Sequence, residues 1–518
     1  MMTESRTLSS SIARSTVILA CITVLLIVAT EVVLSAIRTG TCCFDDAGYA
    51  VVSKNLAQGR GYLSSLDYAN FDHRGTLFHP RLGNGPSTIM VGALAIWIFG
   101  PRPAVPALSL IIVNGLIFAG WIYLLGRRSS RTRALVYAAV FTFSSVVLTA
   151  KHHEQWFAFM GEFEAFLLAA AAFALASFGT SRPRTFFCAG VLLGFSFLAK
   201  ELSMLYALAF GLAAVVQGIF SIVEPGGDPS RFRILFRNLC LAAAGTLTPI
   251  LLFESYHLHA LGISGWIENW RLHLAFVRSQ GLAQAVGASV IDARSLTLRD
   301  RYFLGLVPLA VITTIMSALI WRYCRDRKTR AYGLFMFAAF AIHLGYWVFM
   351  SIGWARYVFN AILFACAIVP ILILGAKASP AKWTAALTII STTFAGWAGL
   401  AYYSSAWLGP AWLWSRDDAQ IQLNVVKYLD EERRSGAVYA PWWAHISSLE
   451  YLEKEPGRFS SITAQSNAPG LLVINRRLPL PDSPEYATLA ARCVPLRTFE
   501  PDYEIRTCTA GAGWKPQN

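Results

Sequence analysis

Apolar runs long enough to cross a lipid bilayer recur along this chain, and nothing else in the sequence limits its fold so severely. A window of roughly 17–25 apolar residues can cross as a helix, with its backbone hydrogen bonds satisfied internally. Such windows fall near residues 17–37, 103–125, 134–150, 163–179, 186–200, 202–221, 236–253, 303–321, 331–350, 357–375 and 383–403. Only 14% of the residues are charged, against about 25% in soluble domains. A cytosolic globular enzyme, a disordered chain and a secreted disulfide scaffold are thereby excluded. Arg6 and Arg14 precede the first window, but its apolar run is longer than a signal-peptide core and no clear cleavage site follows, so it reads as a retained anchor.

The net charge of +14 would suggest a nucleic-acid partner until its placement is read. Basic residues cluster at Arg127–Arg133, Arg182–Arg184, Arg231–Arg237, Arg322–Arg330 and Lys377–Lys382. All of these fall on the side of Arg6 and Arg14 if the spans alternate from a cytoplasmic N-terminus, which is the positive-inside pattern. The excess is therefore a topology signal, and no nucleic-acid partner is expected. The apolar stretch 86–99 would invert that pattern if it crossed, so it reads as an interfacial or re-entrant helix. The Lys200-Glu201 interruption divides 186–221 into two helices that meet outside.

Eleven spans leave the C-terminus outside. Residues 1–403 then form an all-α polytopic membrane domain, and residues 404–518 a small extracytoplasmic α/β domain. Within the latter, 417–435 and 444–454 are helix-like, and Ala437–Trp443 and Gly470–Asn475 strand-like. Cys493 and Cys508 both lie there, where an oxidising exterior permits a disulfide.

The chemistry concentrates in the outer loop 38–102, which opens with Cys42-Cys43-Phe44-Asp45-Asp46-Ala47-Gly48-Tyr49. Two adjacent carboxylates beside a low-dielectric phase repel each other, which suits one of them to act as a general base; Asp at this point equally suits a helix N-cap. Further on come Asn55-Leu56-Ala57-Gln58-Gly59-Arg60-Gly61-Tyr62 and Phe78-His79-Pro80-Arg81, then the Pro86-led apolar helix ending in Phe99-Gly100. This set resembles the first outer loop of the GT-C integral-membrane glycosyltransferases, in the branch of the protein O-mannosyltransferases, aminoarabinose transferases and rhizobial galacturonosyltransferases. Asp45 falls on that family's leading Asp, Asp46 on its second acid and Tyr49 on its Tyr. Glu162 and Glu164 both match a further outer acid, Lys200 the lysine ending a helix, and Arg356-Tyr357 a late Arg-Tyr pair. Asn84-Gly85-Pro86 stands where the family commonly has Lys-Pro-Pro.

The resemblance implies an inverting transferase in the bacterial inner membrane. Its sugar donor is a polyprenyl phosphate, and its acceptor is a hydroxyl of a glycan, lipid or protein. Asp45 and Asp46 would be catalytic, and Tyr49, His79, Arg81, Glu162, Lys200, Arg356 and Tyr357 would hold substrate. The chain contains no P-loop and no dinucleotide fingerprint, in keeping with a donor that is not a nucleotide. His152 and His153, with Glu162, are candidates for a divalent-metal site, although they lack ordinary ligand spacing. The aromatic and basic segment that includes Trp270, Arg271 and His273 suits either sugar contact or an interfacial position. A transporter or flippase of a lipid-linked glycan is the competing class, and Glu31 is its clearest intramembrane acid.

Overall fold

The computed structural model describes residues 2–41, 45–65, 77–80, 85–149, 155–179, 183–223, 230–280, 302–324, 326–351, 355–375, 418–431, 437–442, 445–454, 459–462, 466–476, 478 and 480–511. The membrane half runs α1 (Met2–Thr39), α2 (Asp45–Ala57), α3 (Pro86–Phe99), α4 (Val105–Arg128), α5 (Arg131–Leu148), α6 (Glu162–Phe178) and α7 (Pro183–Ala199). A 3-10 turn, Glu201–Ser203, leads to α8 (Met204–Val223), α9 (Ser230–Gln280), α10 (Tyr302–Tyr323) and α11 (Arg327–Phe349). A second 3-10 turn, Ala355–Val358, opens α12 (Phe359–Ile368) and α13 (Ile371–Gly375).

Among the described residues, seven helices are long and apolar enough to cross a membrane, and Pro86–Phe99, Pro183–Ala199 and Phe359–Gly375 are shorter apolar helices. The 383–403 window lies outside the described residues. Helix α6 is buried on nearly every side, as its Ala- and Phe-rich sequence requires of a helix with no polar face. Its Phe166 and Phe173 join Trp121 of α4 and Phe141 of α5 in an aromatic core. The polar atoms there are paired: Trp121 Nε1 donates to Tyr332 Oη at 2.8 Å and Tyr137 Oη to the Ala367 carbonyl at 2.8 Å, as hydrocarbon surroundings demand.

Helix α9 departs from the expected span 236–253. It has 51 residues, about 75 Å at the usual rise, far beyond a ~30 Å hydrocarbon core. Gly262, with φ 69°, breaks it. A first half of membrane-spanning length precedes the kink, and a second helical half follows, over residues that the sequence reading assigned to an outer connection.

The C-terminal part contains α14 (Asp418–Glu431), β1 (Ala437–Ala440), α15 (Ser447–Leu452), β2 (Phe459–Ser461), β3 (Gly470–Asn475), α16 (Pro484–Ala490), β4 (Cys493–Phe499) and β5 (Tyr503–Cys508). The strands form one sheet ordered β2-β1-β3-β5-β4. β1 is parallel to β2 and β3, whereas β5 is antiparallel to β3 and β4. Cys493 and Cys508 face each other across β4 and β5 and are disulfide-bonded.

The long helices separate two polar ends. At one, Arg128 pairs with Asp326 at 2.8 Å and Lys328 Nζ donates to the Gly179 carbonyl at 3.3 Å, so basic connections gather there. At the other, the C-terminal part sits on the 38–102 segment. Tyr451 Oη donates to the Arg102 carbonyl at 3.0 Å, and Ser448 Oγ to the Thr41 carbonyl at 2.6 Å.

Candidate active site

Helix α2 starts at the aspartate pair, both in its first turn, where the positive end of the helix dipole favours carboxylates. The two are not equivalent. Asp45 is half-buried, and Asp46 is only 1% exposed. Tyr49 follows one turn on. Lys54, fully buried on the same helix, donates to the backbone carbonyls of Glu450 and Glu453. Burial pulls its ammonium down to about 8, against the opposing pull of Glu450. Ser65 Oγ adds a bond to Glu450 Oε1 at 2.6 Å. The helix that presents Asp45 is thus fixed from above by α15.

Two glycines bring the remaining groups to α2. Gly161, with φ +81°, precedes α6, and a Cβ there would lie 2.4 Å from the Ala199 carbonyl oxygen. A Cβ on Gly85 would lie 2.1 Å from the Leu198 carbonyl oxygen. Only glycine permits so close an approach, and at Gly161 such a backbone angle. The start of α6 and the start of α3 therefore both rest on the end of α7. Glu162 Oε1 consequently meets Lys200 Nζ at 2.8 Å, with both side chains nearly buried. The Lys200 ammonium also lies 5.8 Å from the centre of the Tyr49 ring, within cation–π range. The two acids left open by the sequence separate here: Glu162 faces Lys200, whereas Glu164 accepts from Thr88 Oγ1 at 2.8 Å.

Glu201, next to Lys200, enters a cleft lined also by Tyr62, Phe78, His79, Glu254, His257, Asn269, Trp270 and His273. Phe78 has φ 53°, a conformation that costs energy in a non-glycine residue. Its ring stacks on Tyr62 at 5.0 Å and on His257 at 4.2 Å. Asn269 Nδ2 donates to the Phe78 carbonyl at 2.6 Å. His273 Nδ1 meets the Pro80 carbonyl at 2.7 Å, and its Nε2 meets Glu201 Oε2 at 3.0 Å. Trp266 and Trp270 both donate to Glu254 Oε2, at 2.7 and 3.0 Å, which ties the α9 kink together.

Lys200, with Glu162, therefore lies beside Tyr49, one turn from the aspartate pair that starts α2, and His79 lines the adjoining cleft. Tyr357 lies in the 3-10 turn that opens α12; its carbonyl meets His343 Nε2 at 2.8 Å, and the His343 ring lies 5.7 Å from Tyr206, which accepts from Asn360 at 2.6 Å. Arg81, His152, His153 and the Arg356 side chain lie outside the described residues. Among the described residues, no group of three or more His, Cys, Asp or Glu side chains is placed to hold a metal ion. Glu31 accepts from Ser35 Oγ at 3.2 Å, within its own helix. Sequence reading did not single out Lys54, Glu201, Glu254 or Asn269. An acid directly after Lys200 and an acid entering a Trp-rich segment were the available signals.

No protein-family model matches the chain, and no curated protein matches its sequence. Two solved structures of ArnT from Cupriavidus metallidurans do match its fold. The form bound to undecaprenyl phosphate has 12% sequence identity and a TM-score of 0.55, over 96% of this chain and 99% of that one. The apo form has 12% identity and a TM-score of 0.56, over 96% and 98%.

Proposed function

We propose that this chain, which has the GT-C fold of the aminoarabinose transferase ArnT, is an inverting glycosyltransferase moving sugar from a polyprenyl-phosphate donor to an acceptor hydroxyl on the extracytoplasmic face. One observation carries the reading. Asp45 is half-buried, and so still reached by solvent, at the start of α2, one turn before Tyr49, against which the Glu162-paired Lys200 ammonium lies. A proton acceptor and a cation thus flank the same short stretch of helix.

In this reaction Asp45 takes the proton of the acceptor hydroxyl as its oxygen attacks the anomeric carbon. The bond from that carbon to the phosphate oxygen breaks, and the lipid phosphate leaves with the electron pair. Lys200 meets the charge that builds on the phosphate, acting as a point charge, while Glu162 holds it beside Tyr49. Asp46, buried behind Asp45, orders the start of the helix. Beside this site α3 exposes Met90, Leu94, Trp97, Ile98 and Phe99, an apolar face suited to the bilayer boundary from which a lipid-borne donor arrives. The undecaprenyl phosphate bound to ArnT supports a donor of that class.

The test is transfer by the purified protein in nanodiscs, with radiolabelled polyprenyl-phosphate sugars and envelope extract as acceptor. Labelled glycan together with an equal amount of free polyprenyl phosphate is the expected result. Translocation of intact donor across vesicles without release of phosphate would overturn it in favour of a flippase.

A further inference from the structure

The second half of α9 reaches across the cleft to the strained segment 77–80, and the way it holds that segment has a chemical requirement. His273 lies between two acceptors: the Pro80 carbonyl at 2.7 Å from Nδ1, and Glu201 Oε2 at 3.0 Å from Nε2. A carbonyl oxygen carries no proton, so the ring must donate from Nδ1. The remaining contact, between a ring nitrogen and a carboxylate oxygen, then needs a proton of its own. Asn269 secures the neighbouring Phe78 carbonyl at 2.6 Å, and the Phe78 N–H donates to the Tyr62 carbonyl at 2.8 Å. The segment, with its left-handed Phe78, is thereby held from two sides.

We propose that His273, with Glu201 and Asn269, is a proton-dependent latch that positions residues 77–80, and with them His79, for donor binding. His273 and Glu201 are positioning residues that act through the loop. The other titratable groups facing His273 are His79 and Tyr62 from the 38–102 segment, and Glu254 and His257 from the first half of α9. On its own half, Glu268 and Arg271 pair with each other at 2.7 Å in solvent. Of these groups Glu201 meets the ring at Nε2, the nitrogen opposite the one that touches the loop. The latch is therefore fully made at low pH; as the pH rises and the shared proton leaves, the ring loses its anchor on Glu201, and with it the fixed orientation that aims Nδ1 at the Pro80 carbonyl.

The proposal deepens the transferase reading, on which only its kinetic arm rests. The deciding experiment is hydrogen–deuterium exchange of the full-length protein in nanodiscs, read at the Phe78 amide and corrected for intrinsic exchange at each pH. His273→Ala should speed exchange roughly tenfold or more at low pH, the equivalent of one charge-assisted hydrogen bond, with the difference from wild type closing as the pH rises and the α2 amides unchanged. Wild-type protection should fall as the pH rises. Glu201→Gln supplies an N–H to Nε2 and removes the need for the proton, so its protection should be independent of pH. Unaltered exchange in His273→Ala at low pH, or a wild-type pH profile in Glu201→Gln, would overturn the latch. In the kinetic arm, the KM for polyprenyl-phosphate sugar should rise with pH in the wild type and stay flat in Glu201→Gln. Absence of turnover in every form, wild type included, would count against the transferase reading, while exchange still decides the latch.

Discussion

A carboxylate serves as a general base only where a substrate proton can reach it, and the paired aspartates differ in that respect. Asp45 meets solvent; Asp46 is closed off. Asp45→Asn keeps the shape and the helix start but cannot take a proton, so turnover should fall by roughly 10²–10⁴-fold, with thermal unfolding unchanged. A loss below tenfold in a steady-state transfer assay would move the base elsewhere. Lys200 and Glu162 behave as a unit. Removing one partner of a nearly buried ion pair leaves an uncompensated charge, which costs about 3–5 kcal/mol. Lys200→Met should therefore lower stability by that order, and Glu162→Gln with Lys200→Met should recover most of it while turnover stays lost. Denaturation of the two single variants and the double variant measures this directly. The sequence could name both Glu162 and Glu164 but could not choose between them. They stand two positions apart at a helix start, and only the approach of α7, allowed by Gly161, brings Lys200 to the first.

The placement of α2 depends on an element far away in the chain. Lys54 caps the end of α15 through two carbonyls, and each charge-assisted bond contributes about 1.5–3 kcal/mol. Lys54→Met should loosen the C-terminal part from the membrane half and depress transfer together with it, although Lys54 is remote from the reacting atoms. Limited proteolysis should then cut between residues 418 and 511 more readily than in the wild type; equal resistance would show that docking does not rely on this lysine. Nothing in the sequence pointed to Lys54, since a lone lysine in an outer helix has no periodic signal. Strand β3 was legible to the residue because it is a continuous buried apolar run. Strands β4 and β5 were not. β4 exposes five consecutive residues, so it lacks the alternation by which a half-buried strand is read. The half of α9 after Gly262 was hidden for a similar reason: its charged and Trp residues suit an interfacial position without the apolar run by which a spanning helix is read.

At the scale of the whole molecule, charge and packing converge on one arrangement from independent evidence. Sorting basic residues by side placed the connections around 127–133, 182–184 and 322–330 together, using composition alone. The structure joins the same connections at one end, through Arg128–Asp326 and Lys328–Gly179. It puts Asp45, Lys200, the latch and the sheet at the other, an α4 length away, about 36 Å. Which end faces the cytoplasm is a matter of membrane insertion, governed by the basic clusters. The expectation is a cytoplasmic basic end and an outer site, since a lipid-phosphate donor replaces nucleotide chemistry only outside the cytoplasm. Single cysteines introduced at two exposed positions decide it, in a background whose free cysteines are serine: Arg131→Cys at the basic end and Glu485→Cys on the sheet domain. With spheroplasts, a membrane-impermeant maleimide should modify the cysteine at 485 directly and the one at 131 only after permeabilisation. The opposite order would place the aspartate pair in the cytoplasm and remove the basis for an extracytoplasmic transferase.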